Sequence, residues 1–452
     1  MLALGAALAS SVLVPSLAVG GYTAASRAVF AGLAGATLLV ALAWHERGAR
    51  RMARTAPVLM LAALALIALA SAAWSLDSVA SLRWGLVIGG YAAVVLAAGV
   101  LAGRRRGVEA LAVLIAVTAA VTAALGLVGL ALHDTAFAER IYGRWRPGGP
   151  FQYPPALALV QVCALPSLLY AMARARARVA AAAAGGAALA AGTLALSGSR
   201  WQLALGVLVL LAALLFPDRA LGAARGISLA AIFTVALSGA AMYLARRYSS
   251  PQGSERLADF ASVCFAAGLI WIAVPPLAAR LRASGRGSRA IPAAAVVVTA
   301  TVVAAGVVSI AGASDRASRE GSQTHGRLDE WRAALDTAAD RPIAGYGADT
   351  FVDASAPHER PVRARYAHNL PLEAWAELGV LGVAAVLALY AAVGRAVWRA
   401  RGSPAAWLLG PAALAFLATN LVDWPWHLAG VGALWALAVG GVVANPARAG
   451  PG

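Results

Sequence analysis

The chain has no lysine, two cysteines, and charged side chains at 13% of its 452 positions. A soluble domain carries roughly 25% charged residues, so this scarcity excludes an ordinary water-soluble enzyme. Two cysteines exclude a disulfide scaffold. Cys163 and Cys264 both lie inside apolar runs and read as small core residues. There is no GxxxxGK[ST] loop, no GxGxxG between a strand and a helix, no HExxH, no paired CxxC and no DxD carboxylate pair. Phosphate-cradling loops and protein-held metal sites are therefore not expected, and no cofactor is implied. Any phosphate-linked substrate has to be neutralised by arginine.

What the chain does have is apolar length. Hydrophobic residues make up 61% of it, and the mean hydropathy is +0.74. A helix crossing a membrane needs about 20 largely apolar residues, because the hydrocarbon core is about 30 Å thick. Runs that qualify fall near 2–20, 28–44, 56–73, 84–102, 108–132, 156–172, 179–196, 202–216, 226–244, 258–278, 291–312, 371–394, 406–420 and 428–445. The expected fold is all-α, a polytopic membrane protein of 12–14 transmembrane helices. Alanine and glycine dominate these runs, which suits close helix approach in lipid. No basic residue precedes the first run, so it is expected to stay as a span.

The net charge of +17 superficially suggests nucleic acid. Its distribution argues otherwise. With the N-terminus cytoplasmic, inside segments hold 20 arginines and three acids, and outside segments hold 17 of each. All of the net charge then lies on one face, as the positive-inside rule expects. The partners expected are the bilayer and its anionic lipid, and no nucleic acid. The organisation expected is an N-terminal bundle over 1–312, a long outer loop over 313–370, and C-terminal helices over 371–452. Within the loop, Leu328, Trp331, Leu335 and Ala338 recur at helical spacing, with Asp329, Glu330, Asp336 and Asp340 largely opposite. This predicts an amphipathic helix on the outer membrane surface, stopped at Pro342. A glycine-broken turn follows in IAGYGADTF.

Charges at the hydrocarbon boundary are costly and invite a functional reading. Arg146 stands in RPGGPFQYPP, where proline and glycine hold an irregular backbone before a membrane helix. Arg200 in LSGSRWQ lies between two apolar runs with almost no loop to shelter it. His368, in RYAHNLPLEAWAELG, sits where the long loop meets the next helix, with Arg363 and Arg365 just before it. Histidine suits proton transfer near neutral pH, and arginines suit a phosphate-bearing substrate. Glu373 and Glu377 follow at i, i+4 on one helix face. His325 and His358 read as solvated loop groups. Asp423, flanked by Trp424, Trp426 and His427, fits an interfacial aromatic belt or a partner for one of the arginines. Loop arginines that snorkel, and a boundary histidine that is merely satisfied, remain open readings of the same residues.

Taken in order, these segments resemble the O-antigen ligase and polymerase superfamily. The resemblance rests on R-x-x-G-x-F-x-x-P (Arg146 to Pro154), S-G-S-R (Ser197 to Arg200), R-L-D-x-W-x-x-A (Arg327 to Ala334), P-I-A-G-Y-G (Pro342 to Gly347) and H-N-x-x-L-E-x-x-x-E-L-G (His368 to Gly379). It implies an inverting, metal-independent glycosyltransferase outside the inner membrane, with undecaprenyl diphosphate as the donor carrier and an acceptor hydroxyl such as a lipid A-core sugar. It further implies that Arg146 and Arg200 hold the diphosphate and that His368 activates the acceptor. Arg256, Arg363, Arg365, Glu377 and Asp423 are possible supporting residues. Pro155 departs from the asparagine frequent there, so no polar contact carries over to that position. A polymerase with the same donor, or a flippase for lipid-linked sugars, would share many of these features. A flippase would more often show related halves and helices broken near the midplane; no half-to-half similarity is seen, and the suspected residues cluster at the outer boundary.

Overall fold

The computed structural model describes residues 2–141, 143–216, 225–248, 254–283, 326–358 and 364–445. Its helices are α1 (Leu2–Leu17), α2 (Ala24–Ala53), α3 (Ala56–Ser71), α4 (Ser78–Ala102), α5 (Gly107–Leu132), α6 (Pro154–Arg174), α7 (Ala177–Ser197), α8 (Arg200–Leu215), α9 (Arg225–Tyr248), α10 (Ser254–Ala283), α11 (Arg327–Asp340), α12 (Phe351–Ala354), α13 (Leu370–Ala400), α14 (Pro404–Leu408), α15 (Gly410–Thr419) and α16 (Ala429–Val443). One short antiparallel hairpin, β1 (Ala138–Ile141) with β2 (Arg144–Pro147), is the sole sheet among the described residues. Among the described residues six helices (α2, α4, α5, α6, α7 and α13) are long and apolar enough to cross a membrane. Six apolar segments of 10–17 residues accompany them. The protein is an all-α polytopic membrane protein, as the apolar runs predict. The expected run at 291–312 lies outside the described residues, and that at 406–420 is divided between α14 and α15.

The chain divides into two compact units. The first comprises residues 1–111, 320–406 and 412–452. Its centre is α4, buried along nearly its whole length from Trp84 to Ala102 and packed by α2, α3 and α16. Lipid offers no hydrophobic drive between helices, so close backbone approach has to supply the attraction. At Gly440 of α16 a methyl group would run into the Val95 carbonyl of α4, so only glycine allows that crossing. Around it, Phe30, Tyr91, Trp426, Trp435 and Phe416 form a chain of ring contacts with centroids 5.0–6.2 Å apart. Such pairs contribute about 0.5–1.5 kcal/mol each beyond their contact area.

In the second unit, residues 112–319 and 407–411, α7 is the hub, packed by α6, α9 and α10. Leu127, Leu130, Ala188, Leu196, Met242, Phe260 and Ala267 make its core. Trp271 of α10 is fully buried and donates its indole N–H to the Met172 carbonyl (2.8 Å). That bond satisfies a polar group which apolar surroundings would otherwise penalise.

The predicted amphipathic helix exists as α11 and ends before Pro342, but its buried face differs from the one expected. Ala333, Ala334, Thr337 and Ala338 are covered, while Leu328 and Leu335 are 48% and 44% exposed. Small side chains win that face because α11 packs tightly on α13, through a cluster of Ala334, Ala338, Phe351, Ala367 and Ala376. The belt reading of Trp426 is likewise corrected: it is 2% exposed and belongs to the ring cluster around α4, whereas Trp424 is half-buried.

Candidate active site

The turn IAGYG builds the site's floor in the first unit. Helix α13 is broken at Gly379, whose φ of 65° and ψ of −160° leave the helical region. The carbonyls of Ala376 and Glu377 accept instead from the N–H groups of Tyr346 (3.2 Å) and Gly347 (2.8 Å), and Val380 N–H donates to the Pro342 carbonyl (2.9 Å). The turn thus fills the backbone bonds that the break opens, which an apolar setting requires. Its other edge is tied to α3 and α4: Leu76 N–H donates to Tyr346 O, Ala348 N–H to Ser71 Oγ, and Ser81 Oγ to Ala348 O. Gly345 is left-handed (φ 65°) and lies against the Glu377 backbone, where no side chain fits.

Beyond the turn stands a buried charge cluster. Asp349, also left-handed at φ 59°, receives Arg27 Nη1 of α2 at 2.6 Å. The Glu377 carboxylate accepts the N–H groups of Asp349 and Phe351 (both 2.9 Å) and so holds this loop in place. His427 lies between two carboxylates, with Nδ1 3.6 Å from Asp349 Oδ1 and Nε2 bonded to Glu373 Oε1. Its ring is sandwiched between Tyr366 (centroids 3.9 Å apart) and Trp84 (4.6 Å). The second Glu373 oxygen accepts from Ala367 N–H (2.9 Å). Burial by itself would lower the His427 pKa, but Glu373 and Asp349 outweigh it and raise it to about 9. Burial would raise the Asp349 carboxyl, yet His427 and Arg27 hold it below the usual carboxylate range.

His368 is reached through the same segment. Asn369 caps α13 by accepting Leu372 N–H, its amide donates to Leu421 O, and Pro371 sets the first turn. The chain enters this cap with His368 at φ 52°, a conformation costly for a residue with a Cβ and one that surrounding contacts must enforce. Its Nδ1 lies 3.0 Å from the Tyr366 carbonyl and 2.9 Å from Glu330 Oε2 on α11. Among the described residues nothing bonds Nε2. Arg365 Nε donates to the Tyr366 hydroxyl (3.3 Å), and its guanidinium lies over the Tyr22 ring. Asp423 faces Arg327 Nη2 at 3.8 Å and caps Trp424 N–H. His358 pairs with Asp340 (2.7 Å) rather than standing alone. Arg363 and His325 lie outside the described residues.

The other two arginines belong to the second unit. Arg146 is on β2 opposite Glu139 of β1, whose carboxyl burial raises and Arg146 lowers. Both Gly148 and Gly149 donate to the Phe137 carbonyl, which turns the chain sharply after the hairpin. The Arg146 guanidinium packs against Gly198: a methyl there would stand 3.0 Å from its Cζ. Gly198 is left-handed (φ 69°) and ends α7, and Arg200 opens α8 two residues later with its side chain exposed. Two sequence motifs 50 residues apart are thereby brought together. Arg256 is buried in the first turns of α10.

The residues that sequence reasoning did not single out are Arg27, Glu330, Asp349 and the buried state of His427. One signal was available: a charge flanked by apolar runs requires a counter-charge, and Arg27 has none nearby in sequence. No curated protein matches the chain. Residues 185–387 match the family model described as O-antigen ligase. Through this region, which contains Ser197–Arg200, Glu330, Asp349 and His368, the chain is similar to the O-antigen ligase family.

Proposed function

We propose that the protein moves a glycan from undecaprenyl diphosphate onto an acceptor hydroxyl, as an O-antigen ligase acting on a lipid A-core sugar, with inversion at the anomeric carbon and without a metal. It works at the outer face of the inner membrane, its N-terminus cytoplasmic. The acceptor O–H gives its proton to His368 Nε2 as its oxygen attacks the anomeric carbon. The bond to the diphosphate breaks, and the electron pair leaves on the phosphate oxygen. Arg146 and Arg200 neutralise that departing charge; guanidinium forks match phosphate oxygens and need no proton exchange.

The observation that carries the reading is the setting of His368. Acceptors surround Nδ1 and nothing bonds Nε2 among the described residues, as a general base requires. The match of residues 185–387 to the O-antigen ligase family supports the class of reaction.

The test is transfer by the purified, reconstituted chain from a lipid diphosphate-linked oligosaccharide in EDTA, with candidate acceptors supplied singly. We expect transfer in the wild type and loss of at least about 100-fold in His368→Ala and Arg200→Ala. A lipid A-core acceptor that is used marks a ligase; growth of the donor chain alone marks a polymerase. Donor crossing the bilayer unconsumed would refute the enzyme reading.

A further inference from the structure

Glu330 is one of four acids on α11, and the sequence pattern gives it no more weight than Asp329, Asp336 or Asp340. In the structure it differs from them. It lies on the stripe Glu330–Ala334–Ala338, at i, i+4 and i+8, and the two alanines below it are fully buried. Those alanines share one cluster with Ala367, the residue before His368. The helix carrying the carboxylate and the segment carrying the imidazole are therefore pinned to the same packing. Glu330 Oε2 is buried, lies 2.9 Å from His368 Nδ1, and has no hydrogen-bond partner among the described residues. A buried carboxylate oxygen is costly without a donor, and His368 Nδ1 lies within bonding distance of it.

We propose that Glu330 is the positioning residue of His368, forming with it a carboxylate–imidazole pair. The inference rests on the reading of His368 as the general base. Two acceptors face Nδ1, the Tyr366 carbonyl and the Glu330 carboxylate, so the neutral ring carries its proton on Nδ1 and its lone pair on Nε2. When Nε2 takes the acceptor's proton, the carboxylate compensates the imidazolium without itself being protonated, the logic of a triad's third member. The other charges of this neighbourhood do not take this role: Arg327 faces Asp423 and Arg365 bonds Tyr366.

The experiment compares wild type, Glu330→Ala, Glu330→Gln and His368→Ala in the reconstituted transfer assay, with ring-nitrogen NMR of histidine-labelled protein reporting the tautomer. Glu330→Ala should lower kcat at least about tenfold with KM for the donor within about threefold, and should mix the His368 tautomers. Glu330→Gln preserves shape and an acceptor oxygen, so it should retain the Nδ1–H tautomer and still lose at least about fivefold in kcat, because the counter-charge is gone. If Glu330→Ala does not fold, the glutamine variant decides by the same two readouts. Unchanged kcat in the glutamate variants beside an inactive His368→Ala overturns the pair and leaves the base intact. Full activity in His368→Ala removes the base reading itself.

Discussion

Raising the pH from 6 to 9.5 should weaken the folded state by about 3 kcal/mol through a single side chain, His427. Its pKa rises from 6.5 in the unfolded chain to about 9 when Glu373 and Asp349 enclose it. One pKa unit corresponds to about 1.4 kcal/mol, so the protonated ring contributes about 3 kcal/mol. Because the folded value is the higher one, this contribution is complete below pH 6.5 and is lost as the pH climbs through about 9. The charges around the ring are those of Glu373 and Glu377 on α13, Asp349 and Arg27; Tyr366 and Trp84 cover its two faces. The absence of lysine removes one whole class of titrating group from this window, and the His427→Gln variant supplies the background slope of the remaining ones. The assay is reversible denaturation in mixed micelles at half-unit pH steps, for wild type and His427→Gln. The wild type should lose stability steadily across this window, while the variant should begin about 3 kcal/mol lower and lose about 3 kcal/mol less over it. A variant with the wild-type slope, or a wild type that gains stability with rising pH, would refute the reasoning.

Arg27→Met leaves Asp349 buried beside an apolar chain and should cost about 3–5 kcal/mol, whereas the Arg27→Met/Asp349→Asn pair should recover most of it; a double-mutant cycle in the same denaturation assay reports the coupling. Gly345→Ala places a methyl group on the Glu377 backbone and removes a left-handed glycine, so protein yield and melting temperature in detergent should both fall, by more than about 2 kcal/mol in stability. Gly198→Val should reduce donor-dependent transfer at least about tenfold, by pushing Arg146 away from the 197–200 turn, and should also lower the melting temperature, because a β-branched side chain is strained at a left-handed φ of 69°. Leu328→Ser on the exposed face of α11 should change stability by no more than about 0.5 kcal/mol, in contrast to Ala334→Leu on its buried face, which should cost 1–3 kcal/mol.

The apolar runs, their lengths and the arginine asymmetry were legible from composition, because hydrocarbon thickness dictates helix length independently of tertiary detail. Arg146, Arg200 and His368 were legible as charges in costly places, and the end of α11 followed from Pro342. The partners of those charges were not. Arg27 meets Asp349 across 322 positions, and His427 meets Glu373 across 54; no local rule couples residues at such separations. The buried face of α11 went to alanines because the neighbouring α13 leaves little room, and hydrophobicity along one helix carries no information about its neighbour's distance. The turn Pro342–Gly347 was legible as a break but not as the plug of another break at Gly379, since each set of open backbone groups is satisfied only by the other. Glu330 gained its distinction from its neighbours in the same way: of four acids on one short helix, the packing of Ala334 and Ala338 alone determines which one faces the imidazole.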